Sequence, residues 1–222
     1  MGDIKILQKY ADDHIGPAHE RVLAALRKAI ERGDFAPGES LRQEAISATL
    51  RVSHIPVREA LRHLEADGLV EVQRNKGARV VALSRKTIED MMEIRAYISS
   101  NILKTAIPLL TEADYKRLQT IIDRQRVATD PIKADDWNNE FHRRLLQPAQ
   151  NQVAEKVIGL INANIDRYLR GNFYGEQAFR NRSADEHEQI LTTCKTGDKN
   201  RAAYLLSQHI LSARDRIPED LM

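Results

Sequence analysis

The chain has 222 residues, 42% apolar and 30% charged, with a formal net charge of +2 and one cysteine. That length holds two modest domains, and the composition is that of an ordinary globular protein rather than a disordered or fibrous one. No apolar run approaches the roughly 20 residues of a membrane span, the N-terminus lacks a secretory apolar core, and one cysteine excludes an intrachain disulfide or a cysteine-cluster zinc site, so a cytoplasmic location without membrane partners is expected.

The first dozen residues carry no persistent hydrophobic period and are expected to be mobile, with His14 and His19 solvated. A helix is predicted from Pro17 to Glu31, because Val22, Leu23, Leu26 and Ile30 share one face and Gly33 ends it. Residues 37–81, PGESLRQEAISATLRVSHIPVREALRHLEADGLVEVQRNKGARVV, then read as a helix-turn-helix followed by a two-stranded wing. Ile46 and Leu50 close a short helix, and Leu50-Arg51-Val52-Ser53 makes a tight connection with Val52 inward. A second helix is predicted to open at Pro56, whose missing N–H is not needed in a first turn, with Ser53 as its cap.

Val57, Ala60, Leu61 and Leu64 recur at i, i+3, i+4 and i+7, so the second helix buries one face. Its outer face carries Arg58 and Arg62, spaced for phosphates or guanine edges in a major groove. Ion pairing with Glu59, Glu65 or Asp67 is the alternative use of the same arginines. Gly68 stops the helix, Leu69-Val70-Glu71-Val72 alternates as a strand, and Ala78 to Leu83 supplies a second one. The loop between them runs from Gln73 to Arg79 with three positive residues and no acidic one, a composition suited to the DNA backbone or minor groove. Residues 1–83 hold 13 Lys and Arg against 12 Asp and Glu, so any positive field is local to that reading surface.

Residues 82–86 connect this domain, 1–83, to a second, 84–222, in which nearly every segment has helical period. Breaks near Pro108, Thr129-Asp130-Pro131, Pro148, Gly171 to Gly175 and Gly197 give about six helices, with Thr111 as an N-cap. Three of the seven histidines lie here, His142, His187 and His209, each in a different predicted helix, and Asn138 precedes His142 by one turn. Three imidazoles and one oxygen are able to surround a divalent ion, and equally able to be surface or satisfied core groups. Cys194 reads as a small apolar residue near a helix end.

PGESL, VSHIPVREALRHLEADGLV and NKGARV together resemble the winged-helix domain of GntR-type bacterial transcription regulators over residues 18–83. The resemblance implies a mostly α fold: an N-terminal winged helix-turn-helix of three helices plus a β-hairpin wing, then an all-α bundle. It implies contacts to double-stranded operator DNA by Ser53, His54, Arg58 and the wing residues Arg74, Lys76 and Gly77. His54 stands where the family usually has arginine, and Glu44 where arginine or a small residue is common, so the operator is expected to depart from the commonest half-site.

NNEFHRRLL, ADEHEQIL and TGDKNRAAYLLSQHI resemble the C-terminal ligand-sensing FCD domain of the FadR subfamily over residues 86–215. His142, His187 and His209 fall on the metal-binding histidine positions of that domain, and Asn138 on a position usually occupied by aspartate, with Asp135 on a similar face. The resemblance thus implies a divalent ion, Zn²⁺ or another transition metal. It also implies a small organic-acid effector paired with Arg95, an arginine that recurs there in the family, although Ser99 replaces the usual glutamate one turn on. A homodimeric repressor released by its effector is the expected function. The alternatives are a metal-dependent hydrolase, for which Glu188 beside His187 is the candidate general base, and a DNA-binding protein with no ligand.

Overall fold

In a computed structural model, residues 3–73, 77–173 and 177–217 are described; Arg74 and Lys76 of the predicted wing contacts lie outside them. The fold is mostly α, with one small antiparallel sheet among the described residues. The chain divides into two compact units, residues 3–84 with 163–167, and residues 85–162 with 168–217.

The first unit begins with α1 (Ile6–Asp12), where a mobile arm was expected. Leu7, Tyr10 and Ala11 are buried at helical spacing, Gln8 Nε2 donates to Thr49 O at 2.9 Å, and Tyr10 Oη donates to Asp34 at 2.9 Å. Helix α2 (Ala18–Glu31) buries Val22, Ala25, Leu26, Ala29 and Ile30, while His14 is exposed and His19 half-buried beside Glu20. Helices α3 (Gln43–Leu50) and α4 (His54–Ala66) form the helix-turn-helix. Arg51 sits between them at φ 53°, and the Val52 N–H donates to Ser47 O at 3.1 Å, which turns the chain and leaves Val52 packed on the core.

Helix α4 starts two residues before Pro56, at His54. Proline remains tolerated at its third position, because the first four helical N–H groups have no intrahelical acceptor. Ser53 is extended at the cap position, and its side chain makes no capping bond.

Strands β1 (Ser40–Leu41), β2 (Val70–Gln73) and β3 (Gly77–Val80) form an antiparallel sheet with β3 in the middle, so the expected hairpin gains a strand. Its register pairs Leu41 and Val72 with Ala78, and Ser40 and Glu71 with Arg79. β3 ends at Val80, short of the expected Leu83. Gly77, at φ +95°, lies where an added Cβ would stand 2.2 Å from Leu41 O, so only glycine lets β1 approach. Residues 163–167 complete the unit: Ala163 joins its core, Asn164 Nδ2 donates to Asp67 O at 3.0 Å, and Arg167 Nη2 donates to Val81 O at 2.6 Å.

The second unit is helical: α5 (Arg85–Ala106), α6 (Glu112–Val127), α7 (Pro131–Leu146), α8 (Gln152–Phe173) apart from its residues 163–167, α9 (Gln177–Lys195) and α10 (Lys199–Ser212). Short 3-10 turns at 107–109 and 147–149 carry Pro108 and Pro148, and Gly197 turns at φ +77°. α8 runs through Gly171 to Phe173, so the break expected from Gly171 does not begin there. Thr111 caps α6 as expected and does more: its hydroxyl accepts from the Asp114 N–H while Asp114 accepts from the Thr111 N–H. α5 packs on α10, and α6 on α7 and α9, around Leu103, Leu118, Ile122, Phe141, Leu145, Leu191 and Leu206. No helix among the described residues is long and apolar enough to cross a membrane.

Candidate functional site

Three helices of the second unit turn polar residues inward at positions where their period calls for apolar ones. α5 buries Arg95 and Ser99 between Met92 and Leu103, α7 buries Asp135, Asn138 and His142, and α9 buries Ser183 and His187. Burying such groups is costly unless they are paired or bind something. Of these, His142 and His187 meet His209 of α10, and the three are the group of possible metal ligands found among the described residues, with all three ligand atoms within 4.8 Å of one another. His209 Nε2 is 3.0 Å from His187 Nε2 and 3.2 Å from His142 Nε2.

The hydrogen bonds behind the rings set what those nitrogens present. His187 Nδ1 lies 2.8 Å from Gln125 Oε1, and Gln125 Nε2 donates to Ser183 Oγ at 3.0 Å, which orients the amide so that its oxygen accepts from the imidazole N–H. His209 Nδ1 donates likewise to Glu186 Oε2 at 2.7 Å. With Nδ1 protonated, Nε2 of each ring is a bare lone pair aimed at its neighbours. Burial, with the neighbouring imidazoles and the Arg95 guanidinium, holds His187 and His142 well below the usual histidine range, so both rings are neutral near pH 7. Phe141 stacks on His187 at 3.9 Å between ring centroids and fixes it in an apolar wall.

The His187 and His209 lone pairs, 3.0 Å apart, repel unless a positive centre lies between them. A proton bridges one pair at a time, whereas a divalent ion held by His142, His187 and His209 would satisfy all three nitrogens at once. The donor set therefore fits a divalent transition metal. Asn138 is buried one turn before His142 on the same face of α7. Asp135 is buried a turn earlier and accepts from Asn139 Nδ2 at 3.4 Å; it does not join the group of possible ligands. Arg95 is buried, with its charge felt at both His142 and His187.

Gln125, Ser183, Glu186 and Phe141 went unseen in the sequence. Glu186 offered one signal, adjacency to His187, but its carboxylate serves His209 on another helix. Glu188, the general base a hydrolase reading needs, instead accepts from Gln119 Nε2 at 2.8 Å and lies 4.0 Å from Arg126. Burial pushes the Cys194 thiol up to about 12, leaving an inert apolar group.

In the first unit, Ser53, His54, Arg58 and Arg62 all lie exposed on or beside α4. His54 Nδ1 is 3.3 Å from Ser47 Oγ of α3. Glu44 is exposed on α3, and Gly77 is explained by the close approach of β1.

A winged helix-turn-helix followed by an all-helical unit is the architecture of a class of bacterial transcription regulators. Residues 18–80 match the family described as bacterial regulatory proteins, gntR family, and residues 90–212 match the FCD domain. The chain belongs to the GntR family of transcription regulators and carries an FCD domain. It is 26% identical over 197 residues to the HTH-type transcriptional repressor RspR of Escherichia coli, covering 87% of this chain and 86% of that one. It is 28% identical to the Nta operon transcriptional regulator of Aminobacter aminovorans, covering 83% and 87%. It is 24% identical to the gluconate operon transcriptional repressor of Bacillus subtilis, covering 90% and 85%. Among solved structures, McbR/YncC of E. coli shares the fold with a TM-score of 0.79 at 18% identity, over 89% of this chain and 95% of that one. The matched relatives are regulators, and the hydrolase reading is set aside.

Proposed function

We propose that this regulator is a homodimeric repressor whose occupancy of operator DNA is set by a small carboxylate bound at a divalent metal, Zn²⁺ by its donor set, in the helical unit. The observation that carries this reading is the convergence of three imidazoles, two of which, His187 and His209, have their Nδ1–H groups tied back to Gln125 and Glu186. His142, His187 and His209 would hold the ion, with Asn138 as a neutral oxygen ligand. The ion, when bound, supplies a Lewis-acidic position for a carboxylate oxygen. Arg95 pairs with the far side of the same anion, and Phe141 with the apolar wall excludes water from the contact.

Two relatives are named as repressors, one of them of a gluconate operon, which fits a sugar acid or hydroxy acid as effector. In the head, Ser53, His54, Arg58 and Arg62 would contact the groove, and the basic character of Arg74 and Lys76 suits contacts to the flanking backbone. Two heads in a dimer read a pseudo-palindromic site, and the effector favours an arrangement that fits it less well. Coupling of this kind is typically worth about 1–3 kcal/mol, enough for roughly 5- to 150-fold control.

The test is fluorescence anisotropy on labelled operator DNA with a panel of small hydroxy and sugar acids. One acid is expected to raise the melting temperature of the zinc-loaded protein and release DNA. Paired His142→Ala and His187→Ala substitutions should abolish that response while operator binding without acid persists. Release by the same acid from the doubly substituted chain would contradict the reading.

A further inference from the structure

The fold of α4 is accounted for by Val57, Ala60, Leu61 and Leu64, all essentially without exposure. Ile55, in the first turn, takes no part: it is 57% exposed, a branched apolar side chain on the surface of a polar face. Its position relative to Arg58 and Arg62 is i, i+3 and i+7, so it continues the basic stripe toward the helix N-terminus. The preceding ring, His54, is held at 3.3 Å from Ser47 Oγ of α3, a buried residue, which restrains the first turn on the side next to Ile55.

An isoleucine has no hydrogen for a phosphate oxygen and no polar atom for a purine edge. In the major groove, the apolar group it is able to cover is the C5-methyl of thymine, which no other base carries. We propose that Ile55 is a specificity-determining residue that reads a thymine methyl in each operator half-site. The proposal rests on the head's being the DNA-reading surface, and it adds a base preference that the arginines on the same stripe, suited to guanine or phosphate, do not supply.

The experiment begins by selecting bound duplexes from a random-sequence pool with the full-length protein. In the enriched site each thymine is replaced in turn by uracil, which differs only in lacking the methyl group. Affinities are measured for the native chain, Ile55→Ala and Ile55→Thr, with melting temperatures confirming that the variants fold. At one thymine per half-site, uracil is expected to weaken native binding about 3- to 10-fold, and to change Ile55→Ala binding by less than about twofold. If every uracil replacement affects native chain and variant alike, or the enriched site has no thymine within reach of α4, Ile55 reads no methyl and the wider reading of the head stands. If no duplex is enriched at all, the reading of the head falls, and this proposal with it.

Discussion

At Gly77 a single missing Cβ decides whether the wing closes on β1. Gly77→Ala would drive a methyl group to 2.2 Å from Leu41 O at a φ of +95°, so backbone must shift. A loss of more than about 2 kcal/mol in unfolding free energy is expected, measured by urea denaturation. Around the three candidate ligand histidines the deciding atoms lie behind the rings. Gln125→Leu removes the acceptor that fixes the His187 tautomer and is expected to lower zinc affinity about 10- to 100-fold in competition with a chromophoric chelator. Unchanged affinity would mean that the amide orients nothing. His142, His187 and His209 were legible in the sequence because histidine is scarce in the chain and each falls on a matching motif. Gln125 and Glu186 were not, because their bonds join residues 62 and 23 positions apart and leave no local spacing to read.

Among the elements, long amphipathic helices declared themselves and short ones did not. α2 and α4 present continuous apolar stripes over three turns, whereas α1 buries only Leu7, Tyr10 and Ala11, too few to show a period. β1 has two residues and is held by its pairing with β3, a long-range cause invisible at Ser40 and Leu41. Pro56 marks the first turn of α4 but not its first residue, because proline is tolerated anywhere among the first positions and the helix begins at His54. The capping box of α6 was half visible: Thr111 marked the helix start, and Asp114 completes it. Thr111→Ala is expected to cost about 1 kcal/mol and lower the melting temperature by roughly 2–4 °C. Retention of the native melting temperature would show that water replaces the cap without loss.

For the whole molecule, a metal in the bundle adds stability by mass action, about 2.7 kcal/mol when the free ion is at 100 times its dissociation constant. Removing it with a chelator is therefore expected to lower the melting temperature of the native chain and leave that of His142→Ala with His187→Ala unchanged. The two-part organisation follows from residues that read locally, an amphipathic helix-turn-helix and a run of helices with three inward histidines. How the proposed anion at Arg95 would alter DNA affinity depends on the relative energies of two arrangements, which no residue pattern encodes. The most direct test of the central claim is elemental analysis of full-length protein incubated with equimolar zinc and desalted, native chain beside His142→Ala with His187→Ala. One ion per chain in the native protein and none in the variant is expected. No zinc in the native chain, or equal zinc in both, would contradict the metal site and the sensing role built on it.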